Sequence, residues 1–262
     1  MQSKKQHISF SELKNWNTCP YYHKLTYIDD LKAFQGNEHT AFGTAMHDTC
    51  EQILLKSGTS KAFDAELFFK EAFLKESKKI DINDKKLLKD MYVQGVNMLE
   101  YITPGLHEYF GDFELISTEE KLYEDIGLNE YKFKGFIDLV VQTTDGKYHI
   151  VDWKTCSWGW DSRRKTERMT TYQLTLYKHY WAKKHGIAPS EIKTHFALLK
   201  RTAKSNKVEI FHVTSGDKKT QNAINLLEKA IYNIGTNMWI KNKTSCKSRW
   251  GYCEFYKTEH CD

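Results

Sequence analysis

The stretch "GFIDLVVQTTDGKYHIVDWKT", Gly135–Thr155, decides the fold. The run ending in "GFIDLVVQ" alternates and then turns apolar, and "YHIVDWKT" reads as the next strand. Asp145-Gly146 between them is a strong hairpin signal. Side chains alternate along a strand, so Asp152 and Lys154 share a face. Asp138 closes "GFID" on the first strand, and the hairpin can bring it close to Asp152. Two carboxylates left dry and unpaired are expensive, and a divalent cation relieves their repulsion. Mg²⁺ takes hard oxygen ligands, to which the Trp153 backbone carbonyl can add one. Lys154 then stands where it can hold a water or steady charge on a phosphate. An Asp152–Lys154 ion pair with Asp138 in a turn accounts for the spacing equally well.

Outward from this hairpin the pattern stays mixed. Upstream, "FELISTEEKLYEDI" alternates as a further strand carrying Glu119 and Glu120. One of these can reach the site, with a solvated strand face as the competing reading. Before it, "SFSELKNWNTCPYYHKLTYI" opens as a helix with Ser9 and Glu12 in capping-box spacing. "GTAMHDTCEQILL" and residues 62–111 are also helical, with polar breaks near Asp81–Asp84. Downstream come a helix, "ERMTTYQLTLYKHYWAKKHG", two strands, "THFALLKRT" and "KVEIFHVT", and a long amphipathic helix. The order of helices, three strands, helix, two strands, helix predicts an α/β core with a helical N-terminal region.

The totals set bounds. A net charge of +5 does not establish a nucleic-acid partner, so local clusters must make that case. Arg163, Arg164, Lys165 and Arg168 follow the Asp152–Lys154 strand in a segment that also holds Trp158 and Trp160. Basic groups neutralise phosphates and aromatic rings stack on unpaired bases, which makes this segment a candidate DNA contact. A second basic group, Lys200, Arg201, Lys204 and Lys207, surrounds the predicted hairpin tip. No run approaches the roughly 20 apolar residues of a membrane span, so no membrane partner is expected. "MQSKKQHISF" has no secretory apolar region, and a cytoplasmic location is expected. The six cysteines are then buried small hydrophobes or metal ligands.

"GFIDLVV" followed by "IVDWKT" resembles the motif pair of the PD-(D/E)xK nuclease superfamily, in its RecB-like branch. "GTAMHDTCE" is similar to the branch's upstream helix, whose histidine is a metal ligand, which implies His47 in the site. "TYQLTLY" resembles its downstream Q-x-x-x-Y helix and implies roles for Gln173 and Tyr177. "WNTCPYYHKLTYI" resembles the N-terminal motif of members with an iron–sulfur cluster. The resemblance implies a restriction-endonuclease-like core, a mixed central sheet flanked by helices, followed by a cysteine-containing tail. It implies one nuclease domain over 1–262, with a mainly helical region 1–112, a catalytic core 113–215, and a C-terminal helix and tail 216–262. The expected activity is Mg²⁺- or Mn²⁺-dependent hydrolysis of DNA, as an exonuclease in replication, recombination or repair. His47, Asp138, Asp152 and the Trp153 carbonyl would hold the metal, with Lys154, Gln173 and Tyr177 assisting. Helicase or recombination and replication proteins are the implied partners, and a bacterial cell or phage-infected host the setting. A non-catalytic DNA-binding or scaffold subunit is the alternative.

In iron–sulfur members one N-terminal and three C-terminal cysteines hold a [4Fe–4S] cluster. That implies Cys19, Cys246, Cys253 and Cys261 here, although six residues separate Cys246 from Cys253 where the family has a close pair. Zn²⁺ at the same thiolates and a relic site without metal are the other readings. Cys50 and Cys156 are expected to be buried.

Overall fold

The computed structural model describes residues 6–31, 36–57, 62–127, 130–248 and 251–261. The chain divides into two compact units, each built from separate stretches. One comprises Gln35–Lys121 and Phe136–Ser215, the other Met1–Phe34, Leu122–Gly135 and Gly216–Asp262.

The first unit holds α3 (Glu38–Lys56), α4 (Ala65–Ser77), α5 (Lys85–Leu99), α6 (Ile102–Phe110), β4 (Tyr148–Cys156), α7 (Ser162–Thr166), α8 (Arg168–His185), β5 (Ile192–Lys200) and β6 (Val208–Val213). Strands β2 (Phe113–Asp125) and β3 (Lys132–Thr143) contribute residues to both units. The helical stretch 62–111 comprises three helices, α4–α6, with a break at the polar run Asp81–Asp84. Asp64 and Asp84 accept hydrogen bonds from the Leu67 and Leu87 N–H groups, so the polar breaks start new helices. β3 runs antiparallel to β4, β4 parallel to β5, and β5 antiparallel to β6, while β2 also pairs with β3. The β3–β4 hairpin turns at Thr143–Lys147, with Gly146 at φ +79° accommodating the left-handed position.

Strand alternation sends Leu139, Val141, Val151, Trp153, Ala197 and Leu199 to one face, where they form a continuous core with α3–α6. The other face takes Asp152 and Phe196, and α8 lies there. The architecture is an α/β fold with a mixed central sheet flanked by helices, as expected.

The second unit contains β1 (His7–Ser9), α1 (Phe10–Thr18), α2 (Pro20–His23), a π-helical turn at Lys24–Ile28, and α9 (Asp217–Gly235). β1 is parallel to Lys132–Lys134 of β3. Ser9 caps α1 through the Glu12 N–H. The Glu12 carboxylate is buried against His23 Nε2 at 2.9 Å, and His23 stacks between Tyr27 and Trp239. Sequence-distant segments are stitched here. The Tyr21 N–H donates to the Ile240 carbonyl, Asn242 Nδ2 to the Thr18 carbonyl, and the Asn242 N–H to Cys19 Sγ.

Candidate active site

The β3–β4 ladder pairs Gln142 with Tyr148 through Leu139 with Val151, and the next pair in register would be Asp138 with Asp152. Asp138 Oδ2 instead accepts the Trp153 N–H at 2.7 Å. The Trp153 N–H thus holds the Asp138 carboxylate in place. His47, on α3, brings Nδ1 to 3.5 Å from Asp138 Oδ2. One ligand atom each from His47, Glu119 and Asp138 lie within 4.8 Å of one another. Among the described residues this is the one group of three or more His, Cys, Asp or Glu so arranged.

Glu119 gets there through a defect in its strand. The burial alternation of β2 slips by one residue at Ser117–Thr118, and Glu119 takes φ +45°. Such a bulge re-aims a side chain at a cost in backbone strain. Its neighbour Glu120 points elsewhere and accepts from Trp181 Nε1, Lys184 Nζ and His185 Nε2 at 2.6–2.9 Å. Of the two glutamates only Glu119 joins the group. The one hint in the sequence was the acidic pair itself, since alternation cannot foresee a slip.

Asp152 is almost fully buried and is not a member of the His47 group. Its Oδ2 is ion-paired with Lys154 Nζ, and its Oδ1 accepts from Gln173 Nε2 at 2.7 Å. Gln173 Nε2 also lies 3.3 Å from the buried Tyr177 hydroxyl, one helical turn along α8. Gln173 and Tyr177 thus brace Asp152, which in turn fixes Lys154.

Electrostatics mark the group as crowded with negative charge. Burial, reinforced by Asp138, pushes Glu119 up to about 7. Burial outweighs Lys154 at Asp152 and, with Asp138, holds it up at about 6. Burial alone would raise Asp138 and lower His47, but each charge outweighs that effect on the other, so Asp138 lies low and His47 high. A cation among these oxygens and the imidazole would relieve the repulsion, and the donor set suits Mg²⁺ or Mn²⁺.

The basic segments separate on inspection. Arg163, Arg164 and Arg168 are exposed. Lys165 and Lys200 both pair with Glu209, and Lys200 is buried. Arg201 is pinned to Gln94 and Ser157, and Lys207 lies over Tyr101. Of the second basic group Lys204 is exposed, and the other three serve packing. Trp158 is exposed, whereas Trp160 is buried beneath Arg164.

In the second unit Cys19, Cys246, Cys253 and Cys261 all line one cavity of about 350 Å³. Cys19 Sγ accepts from the Tyr22 and Asn242 N–H groups. Cys50 is buried, which raises its thiol pKa, while Cys156 is half-buried, contrary to expectation, because it closes β4 at the edge of the core.

No curated protein matches this sequence. A crystal structure of a candidate exonuclease from Eubacterium rectale overlays with a TM-score of 0.61 at 15% identity, covering 92% of this chain and 86% of that one. The structure of SSO0001 overlays less well, with a TM-score of 0.41 at 13% identity over 98% of this chain and 86% of that one. The family model for the PD-(D/E)XK nuclease superfamily matches residues 7–258. With the strand pair, the lysine and the sheet order already in place, that match over nearly the whole sequence means the chain belongs to the PD-(D/E)XK nuclease superfamily.

Proposed function

We propose that this protein is a metal-dependent deoxyribonuclease of the RecB-like branch, acting as an exonuclease in DNA replication, recombination or repair. The observation that carries this reading is the convergence of His47, Glu119 and Asp138 beside the Asp152–Lys154 pair. His47, Glu119 and Asp138 would hold Mg²⁺ or Mn²⁺, with Asp152 completing the site on the substrate side. The bound ion supplies Lewis-acid stabilisation of charge on the scissile phosphate. Lys154 orients the attacking water and steadies the phosphate oxygens. Asp152 holds the Lys154 ammonium in place, and Gln173 with Tyr177 hold Asp152. Water displaces the 3′-oxygen in line and leaves a 5′-phosphate. Arg163, Arg164 and Arg168 meet the DNA backbone as it leaves the site. The exonuclease assignment draws on the name of the Eubacterium rectale neighbour. A phage or bacterial origin and action beside a helicase or recombination protein accord with the branch.

In the same reading Cys19, Cys246, Cys253 and Cys261 hold a [4Fe–4S] cluster. Their shared cavity supports it. A single Zn²⁺ needs four sulfurs about 2.3 Å from one point, and these four form no such tight group. The cluster supplies a covalent staple between segments far apart in sequence.

The test is digestion of end-labelled linear, single-stranded and circular DNA with Mg²⁺ or Mn²⁺, with Asp152→Asn and Lys154→Ala beside wild type. Unchanged cleavage by either variant removes the mechanism. For the cluster, a folded anaerobic sample with no iron and no absorbance at about 400 nm counts against it.

A further inference from the structure

Trp158 is 79% exposed, the most of any large hydrophobic among the described residues, and Trp160, two residues on, is 8% exposed. Trp160 packs on Phe196 with ring centroids 5.2 Å apart and is covered by the Arg164 guanidinium at 4.4 Å. A single exposed apolar residue is ordinary. The backbone beneath this one is not left loose. The Cys156 carbonyl accepts from the Arg201 N–H, and the Ser157 carbonyl from the Thr202 N–H and hydroxyl. Arg201 also reaches Ser157 Oγ with one arm of its guanidinium and Gln94 with the other. Gly159, at φ +130°, lets the chain turn from the exposed indole to the buried one, a conformation that side-chain-bearing residues rarely adopt. An ordered loop therefore presents an indole to water.

Its position in the chain gives that ring a task. Trp158 follows Lys154 by four residues, and because the strand ends at Cys156 and the chain bends at Ser157–Trp158 the two lie within about 13 Å along the backbone. The exposed guanidinium groups of Arg163, Arg164 and Arg168 come next. Cations suit phosphates, and a flat ring suits the face of a base. In a duplex those faces already stack on one another, so only an unpaired base has a face to offer.

We propose that Trp158 stacks on an unpaired base of the bound strand and makes single-stranded DNA the preferred substrate, a specificity that rests on the nuclease reading above. Binding is measured by fluorescence anisotropy in EDTA, where a metal-dependent nuclease does not cut, with a labelled single-stranded oligonucleotide and a blunt duplex of two fully paired strands. Trp158→Ala is expected to weaken single-strand binding about tenfold and duplex binding less than about twofold, while Trp158→Phe retains most of the affinity. Equal losses on both ligands, no loss, or no single-strand binding by wild type overturns the proposal. Cleavage with Mg²⁺ or Mn²⁺ is scored separately. A wild type that binds in this pattern but cuts nothing defeats the nuclease reading and leaves the stacking role standing.

Discussion

Strand β4 carries two partly buried polar clusters, one near each end, and they are built on opposite plans. Near its end, Asp152 and Lys154 adjoin the crowded His47–Glu119–Asp138 group. At its start, His149 Nδ1 lies 3.0 Å from His195 Nε2, and His149 Nε2 lies 2.9 Å from Thr143 Oγ1. Thr143 Oγ1 donates on to Asp145 Oδ1. Because Asp145 can only accept, the chain runs one way: His195 donates to His149, His149 to Thr143, and Thr143 to Asp145. This cluster keeps its histidines neutral and ends its hydrogen-bond chain on a single carboxylate. The other concentrates charge that its own residues do not balance. Burial by itself does not announce function; unrelieved charge within burial does.

The largest effect that tests this contrast is on cleavage. Asp152→Asn and Lys154→Ala should each lower the rate by about a hundredfold or more without loss of folded protein. A similar loss from His149→Leu would erase the distinction between the two ends. Next comes the glutamate pair. Glu119→Gln should weaken Mn²⁺ binding at least about tenfold by calorimetry. Glu120→Gln should leave metal affinity unchanged and cost about 1–3 kcal/mol in urea unfolding, because Glu120 gathers four donors, Ser117, Trp181, Lys184 and His185.

Acid should then separate the clusters by sign. Burial lowers His149 from 6.5 to about 4 and His195 to about 2. The unfolded chain takes up these protons first, so stability is full above about 6.5 and falls as the pH drops toward 4. Asp152 and Glu119 act the other way. Their raised values mean stability is greatest in acid and is lost as the pH rises through about 6 to 7. In the double variant His149→Leu/His195→Leu, the acid loss between pH 6.5 and 4 should flatten by about 2 kcal/mol per pH unit. An unaltered slope in denaturant titrations would show that the histidines are not held neutral.

The smallest effect concerns the basic groups. Replacing the exposed Arg163 or Arg168 by Ala should reduce the salt dependence of DNA binding by about one unit of slope each. Lys200→Met, which removes a cation already paired with Glu209, should not.

The hairpin, its charged face and the helix bearing Gln173 and Tyr177 were legible in the sequence because strand and helix periodicities fix which side chains share a face. What escaped was whatever depends on a break in period. Glu119 reaches the site through a one-residue slip and a left-handed φ, and neither leaves a trace in polarity. The division of labour between Trp158 and Trp160, and between Lys204 and Lys200, escaped for another reason. Composition marks a segment as basic and aromatic but does not say which members find partners. The two units were also hidden, since each gathers stretches far apart in the chain.

That interleaving has a consequence for biosynthesis. The Cys19 sulfur accepts a hydrogen bond from a residue 223 positions later. On a ribosome adding about 5–20 residues per second, that partner follows on the order of 10–45 s after Cys19. The unit holding α1 and α9 therefore has to close after most of the chain has been made, leaving its one early cysteine, Cys19, open to oxidation or to stray metals in the interval.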